Sequence, residues 1–138
     1  MVEVQILDRS YPLCMTVAAL DEINDRCGGI SGLGDFLDGK TRDSGESQGI
    51  NMETAAVNTA WLLGLLIREG ENNRLLVARL TGEPAERCPV PTSEDLAQLL
   101  TVHSAMKLRV SLFQAVNESM DKEIEALYPK NGKDAERE

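Results

Sequence analysis

The stretch that most limits what this chain can become is "TAWLLGLLIREG", residues 59–70, its longest apolar run. Such a segment belongs in a membrane, in a protein core or against a partner. From Ala55 to Ile67 there are only thirteen residues, interrupted by Asn58 and Thr59. A membrane-spanning helix needs about twenty apolar residues. Glu69, Glu71 and the Asn72–Asn73 pair close the far side, so a span is rejected. As a helix, the segment sets Val57, Ala60, Trp61, Leu62, Leu63, Leu65, Leu66 and Ile67 around most of its circumference. A helix that is apolar all round is buried centrally or covered by a second molecule.

What surrounds it must be mostly aliphatic, because only five of 138 residues are aromatic. That length suggests one domain with a real core, over residues 1–128. Acidic side chains outnumber basic ones 23 to 14, for a net charge of −9. The excess repels phosphate backbones and anionic lipid, so neither a nucleic acid nor a membrane is expected as partner. Cys14, Cys27 and Cys88 are too widely spaced for a disulfide framework or a CxxC metal knuckle, which predicts buried, reduced thiols in a cytoplasmic protein. The opening "MVEVQILDRS" shows no export signal.

Ahead of the apolar run, "VEVQIL" alternates with period two, "DRS" reads as a turn, and "YPLCM" returns as a strand whose Pro12 implies an edge. Residues 2–15 are therefore expected to form a β-hairpin. Thr16 is a candidate N-cap with a Met15–Leu20 staple, followed by Val17, Leu20, Ile23 and Cys27 at helical spacing. Gly28 and Gly29 stop that helix, and residues 31–37 form a second short one, so short helices fill 16–37. Residues 38–49, "DGKTRDSGESQG", hold three glycines and no large apolar residue, the composition of a flexible loop. Asn51 caps the central helices over 51–81, with Ile50 stapled onto Ala55. The three prolines of "GEPAERCPVP" make a stiff, non-helical connector.

The last region, 92–128, is the most regular. Leu96, Leu99, His103, Met106, Val110, Phe113, Asn117, Met120, Ile124 and Leu127 alternate spacings of three and four. A continuous helix over that stripe would be about 48 Å long. That is long for a compact domain, so the helix either breaks near "TVHSA" or projects to pack on another chain. Pro129 stops it, and 129–138 read as a disordered tail. The fold class expected is mainly α (α+β): a small N-terminal β-hairpin followed by a helical bundle with a long C-terminal helix.

Chemistry is hard to find. His103, the only histidine, sits at a heptad core position, where a polar core residue is the simpler reading than a catalyst. "GGISGLG" lacks the Lys-Ser/Thr pair of a phosphate loop and reads as helix stop and linker. Asp21, Glu22 and Asp25, and the "DKEIE" run at 121–125, read as solvated helix faces. Asn117 either sets register in a buried stripe or lies exposed. No catalytic residue, no metal ligand and no cofactor is assigned; an enzyme is not expected. The residues expected to meet a partner are Trp61, Leu65, Met106, Val110, Phe113, Asn117 and Met120.

The order of parts resembles a family. "VEVQILDRSYPLCMT" runs into "TVAALDEINDRCGG"; the apolar "AAVNTAWLLGLLIREG" follows, and then a capped region opening "PTSEDLAQLL". Over residues 2 to 120 this looks like the tail assembly chaperones of long-tailed bacteriophages and related prophage elements. The resemblance implies a small acidic helical protein of the bacterial host cytoplasm that acts during virion morphogenesis. It further implies binding to the tape measure protein, recruitment of major tail tube subunits, and self-association. The alternative is a homo-oligomeric helical-bundle adaptor or regulator of phage or prophage origin, joined through the last helix.

Overall fold

A computed structural model describes residues 3–40 and 51–127, with side chains up to Glu118. The chain is mainly helical behind a small antiparallel hairpin, as its patterning predicts. Strands β1 (Glu3–Ile6) and β2 (Arg9–Pro12) pair with Ile6 opposite Arg9 and Glu3 opposite Pro12. The turn is therefore Leu7–Asp8, and β2 begins at Arg9, inside the "DRS" expected to be the turn. Leu7 takes a left-handed φ of 58° and is 79% exposed, an unusual place for a branched apolar side chain in a two-residue turn. Val4 and Ile6 face the core, while Glu3 and Gln5 face solvent.

Thr16 caps α1 (Val17–Cys27), its hydroxyl accepting from the Ala19 N–H at 3.1 Å, and Gly28 closes the helix in the left-handed conformation. The inward residues are Ala19, Ile23 and Cys27, with Leu20 half-buried; Val17, expected inside, is open to solvent. Residues 19, 23 and 27 are one turn apart, and Val17 lies off that line. A 3-10 turn, Ile30–Gly32, leads into α2 (Leu33–Leu37). Asp38 caps α2, and Gly39 is buried against the backbone of Asn51 with φ 74°. The start of the expected loop is thus built into the fold; its remainder, Ile50 and the tail fall outside the described residues.

Helix α3 (Met52–Thr81) is one continuous element, where "NNRLLVARL" is expected to form a separate helical piece before Gly82. Asn51 caps it through its Oδ1, which accepts from the Thr54 N–H at 3.1 Å, and Gly82 ends it. It meets β2, α1, α2, α4 and α5, and so is the centre of the fold. Leu62, Leu63, Leu65, Leu66 and Ile67 are at most 3% exposed, so this one chain buries the apolar run. Each leucine fully removed from water contributes about 1.5–3 kcal/mol. Two glycines allow the cover to come close. A Cβ on Gly64 would strike Ser93, and one on Gly70 would strike the Pro12 carbonyl oxygen. In their absence Ser93 Oγ donates to the Trp61 carbonyl at 3.1 Å, and Cys14 N–H donates to that of Leu66 at 3.2 Å.

Helix α4 (Ser93–Leu99) starts with a capping box between Thr92 and Asp95. Leu100 turns extended (ψ 140°), and Thr101 caps α5 (Val102–Leu127) by accepting from the Ser104 N–H at 3.1 Å. The region from 92 therefore breaks at the "TVHSA" position, one of the two outcomes the stripe allowed. The break has a consequence for the stripe. Ala105, Leu112, Ala115 and Val116 form the buried face of α5, with Leu108 half-buried beside them. His103, Val110 and Asn117 are exposed, so His103 and Asn117 are not core polar residues. A stripe read across a break loses its phase, because the second helix can rotate about its own axis.

Candidate partner-binding site

The seven residues expected to meet a partner do not share one surface. Leu65 is core. Trp61 is half-buried, edge-on to Phe36 with ring centres 5.5 Å apart, and Arg26 lies over its ring at 4.9 Å. Met106 and Phe113 are half-buried along the margin of α5; Val110 between them is 73% exposed, and Asn117 is exposed. The side chain of Met120 lies outside the described residues. On the same helix Arg109 reaches Asp38 at the end of α2, which pins α5 across the bundle. A narrow α5 strip centred on Val110 remains open.

A broader surface lies at the far end of α3. Leu76, Val77 and Leu80 are exposed there, Leu80 by 73%. Beside them runs a groove of about 420 Å³. Its floor is α3 (Gly70, Asn73, Arg74, Val77 and Ala78); Pro12 and Cys14 form one wall, and Glu83, Pro84 and Ala85 the other. "NNRLLVARL" carries the period of a helix, but nothing in its composition says that its leucines lack cover. The signal that could have found the groove is Gly70 followed by a proline-rich connector: close approach on one side, no packing helix on the other.

Two buried carboxylates stand where the covered part of α3 gives way to this end. Glu69 is 6% exposed; it accepts from the Thr16 hydroxyl at 2.5 Å and from Arg68 Nε and Asn72 Nδ2 at 3.2 Å each. Arg68 extends the network to Glu22 on α1. Burial pushes the Glu69 carboxyl up, but these bonds outweigh it and hold the group below its usual range. Glu71 is 7% exposed and accepts twice from Arg74, at 2.9 and 2.7 Å, and once from the Cys88 N–H at 2.7 Å. The Arg74 guanidinium is the main cause of its lowered pKa. Both carboxylates are ionised and fully engaged, the state of structural rather than proton-transferring groups.

Among the described residues no group of three or more His, Cys, Asp or Glu side chains could hold a metal ion. None of the described helices is long and apolar enough to cross a membrane. The thiols divide by element. Cys27 is buried in α1, Cys14 is half-buried in the groove wall, and Cys88 is exposed on the connector, contrary to the expectation that all three are buried. Residues 83–89 bury no side chain, and Cys88 is one of them. Comparison with family models, with characterised proteins and with solved structures finds no match to this chain.

Proposed function

We propose that this chain is a non-enzymatic assembly chaperone of the phage-tail type, which shelters the amphipathic helices of a tape measure protein and brings tail tube subunits to them. The observation that carries the reading is the uncovered end of α3: Leu76, Val77 and Leu80 beside an apolar groove, on a helix whose other half is dry core. An amphipathic helix laid along such a surface buries its own apolar face, at roughly 25 cal/mol per Å² removed from water. The net charge of −9 keeps a protein with such a surface dispersed. The resemblance of the hairpin, the first helix and the central apolar helix to tail assembly chaperones supplies the kind of partner.

The test is co-expression with a tape measure protein and a major tail tube protein, followed by affinity purification. Retention of both partners is expected, with loss of the tape measure protein from the Leu76→Asp, Leu80→Asp double variant. A folded chain that ignores both partners would overturn the reading. One observation favours the alternative of a homo-oligomeric adaptor: Val110 is 73% exposed between the half-buried Met106 and Phe113. Light scattering decides it. A dimer that Val110→Glu dissociates supports that reading, and a monomer removes it.

A further inference from the structure

We infer that the connector between α3 and α4 is a latched strap forming one wall of the groove, held in place by the Glu71 carboxylate. Its purpose, to set the width of the groove beside the apolar end of α3, rests on the partner-binding reading above; the latch itself does not.

The strap has a capped end, a fixed end and a set of polar ties between them. At Gly82 α3 ends with φ 77°, and the Glu83 N–H donates to the Ala78 carbonyl at 2.8 Å, so the strap can swing only beyond this cap. At the other end Val90 packs partly on the core, and the Thr92–Asp95 capping box and the Ser93–Trp61 bond fix the start of α4. Between them Glu83 to Pro89 are exposed, and Pro84, Pro89 and Pro91 keep the backbone stiff enough to move as a unit.

The polar contacts that hold it down gather on one turn of α3. The Cys88 N–H donates to Glu71 at 2.7 Å, Arg74 donates to the Glu86 carbonyl at 2.7 Å, and Arg87 donates to Asn72 at 3.2 Å. Arg74 makes its contact while bonded twice to Glu71, so one carboxylate organises two of the three ties. A buried carboxylate costs free energy unless it is bonded on all sides, and a passive linker has no need of one. Residues 83–89 stay exposed, and their apolar contact is limited to the Pro84–Ala85 wall of the groove. The closed state of the strap therefore depends on the Glu71 network, and opening is local, leaving the core intact. Swinging out, Pro84 and Ala85 leave the wall they form and widen the groove whose opposite wall holds Cys14.

Cys14 reports the opening. In the full-length Cys88→Ser chain, the reaction of Cys14 with a soluble disulfide reagent is followed beside amide hydrogen exchange over residues 84–90. Cys27, buried in α1, is the internal control. Glu71→Gln removes the charge and keeps the shape. It should raise Cys14 reactivity and exchange at Cys88 by about tenfold or more, the ratio expected from losing a charged hydrogen bond, with Cys27 unchanged. Arg74→Met, at a half-exposed site, should act in the same direction. Rates within about twofold of the parent in both variants, or Cys14 and Cys27 rising together, overturn the latch. A tape-measure helical peptide then separates the two ideas. If the variants open the strap and the peptide binds no tighter, the latch stands and the partner reading fails.

Discussion

The two halves of α3 have similar apolar content and opposite fates. Residues 60–67, "AWLLGLLI", include five large aliphatic side chains that are at most 3% exposed. Residues 75–80, "LLVARL", hold Leu76, Val77 and Leu80, each at least 42% exposed. What differs is the approach of neighbours. Gly64 lets the start of α4 touch the helix backbone, and Gly70 does the same for the end of the hairpin. Beyond Gly70 the helix meets the walls of a groove and the polar ties of the connector, with no apolar element among the described residues packed on Leu76, Val77 or Leu80. Apolar content states how much cover a helix needs; the small residues state where cover can arrive.

The largest effect that tests this difference is a matched truncation. Leu63→Ala should cost about 2–5 kcal/mol, because its site is fully buried and a cavity remains. Leu80→Ala should stay within about 0.5 kcal/mol, as for a surface position. Urea denaturation of both variants measures the contrast, and equal losses would show that the far half is covered in solution. Next in size is Gly64→Ala. In an open helix this change would gain about 1 kcal/mol of helix propensity. Here the new Cβ would lie 2.8 Å from the Ser93 nitrogen and 2.9 Å from its Cα, both backbone atoms that cannot turn aside. A net loss of about 1–3 kcal/mol is expected from overpacking, seen as a lower thermal midpoint. A higher midpoint would mean that α4 docks loosely.

Much of this fold was legible in the sequence, for reasons that differ from one element to the next. Thr16 and Asn51 announce helix starts, and Thr92 or Ser93 a third that the structure gives to Thr92, because an N-cap side chain satisfies its own helix, a local matter. The hairpin register was less legible, since Leu7 gives none of the Asn or Gly signal that marks a left-handed turn residue. The stripe from Leu96 to Leu127 misled, because period alone cannot show that Leu100 leaves the helix and Thr101 starts another. Val110 and Asn117 therefore point outward and Ala105 and Leu112 inward. Of the proposed partner surface, Val110 was legible as apolar and the α3 groove was not. The groove depends on what fails to pack there, which is a property of the whole chain.

The smallest effects, and the sharpest, come from the two carboxylates at the junction of the halves. Glu69 joins the start of α1 to α3, whereas Glu71 ties the connector down, though only one residue separates them. Each is held below the ordinary carboxylate value of 4.5, so each contributes stability that is fully present above that pH. The contribution fades as pH falls through the lower folded value, where the native state takes up its proton. Glu69→Gln should cost about 1–3 kcal/mol of global stability above about pH 5. Its difference from the parent should shrink as the medium becomes more acidic than 4.5. Glu71→Gln should change the global value by less than about 1 kcal/mol, because a strap that buries no side chain can open without unfolding the core. Urea titrations across that range read both. An acid profile equally altered by the two substitutions would mean that the strap and the core unfold as one unit, and that the far half of α3 is less separate than its exposure indicates.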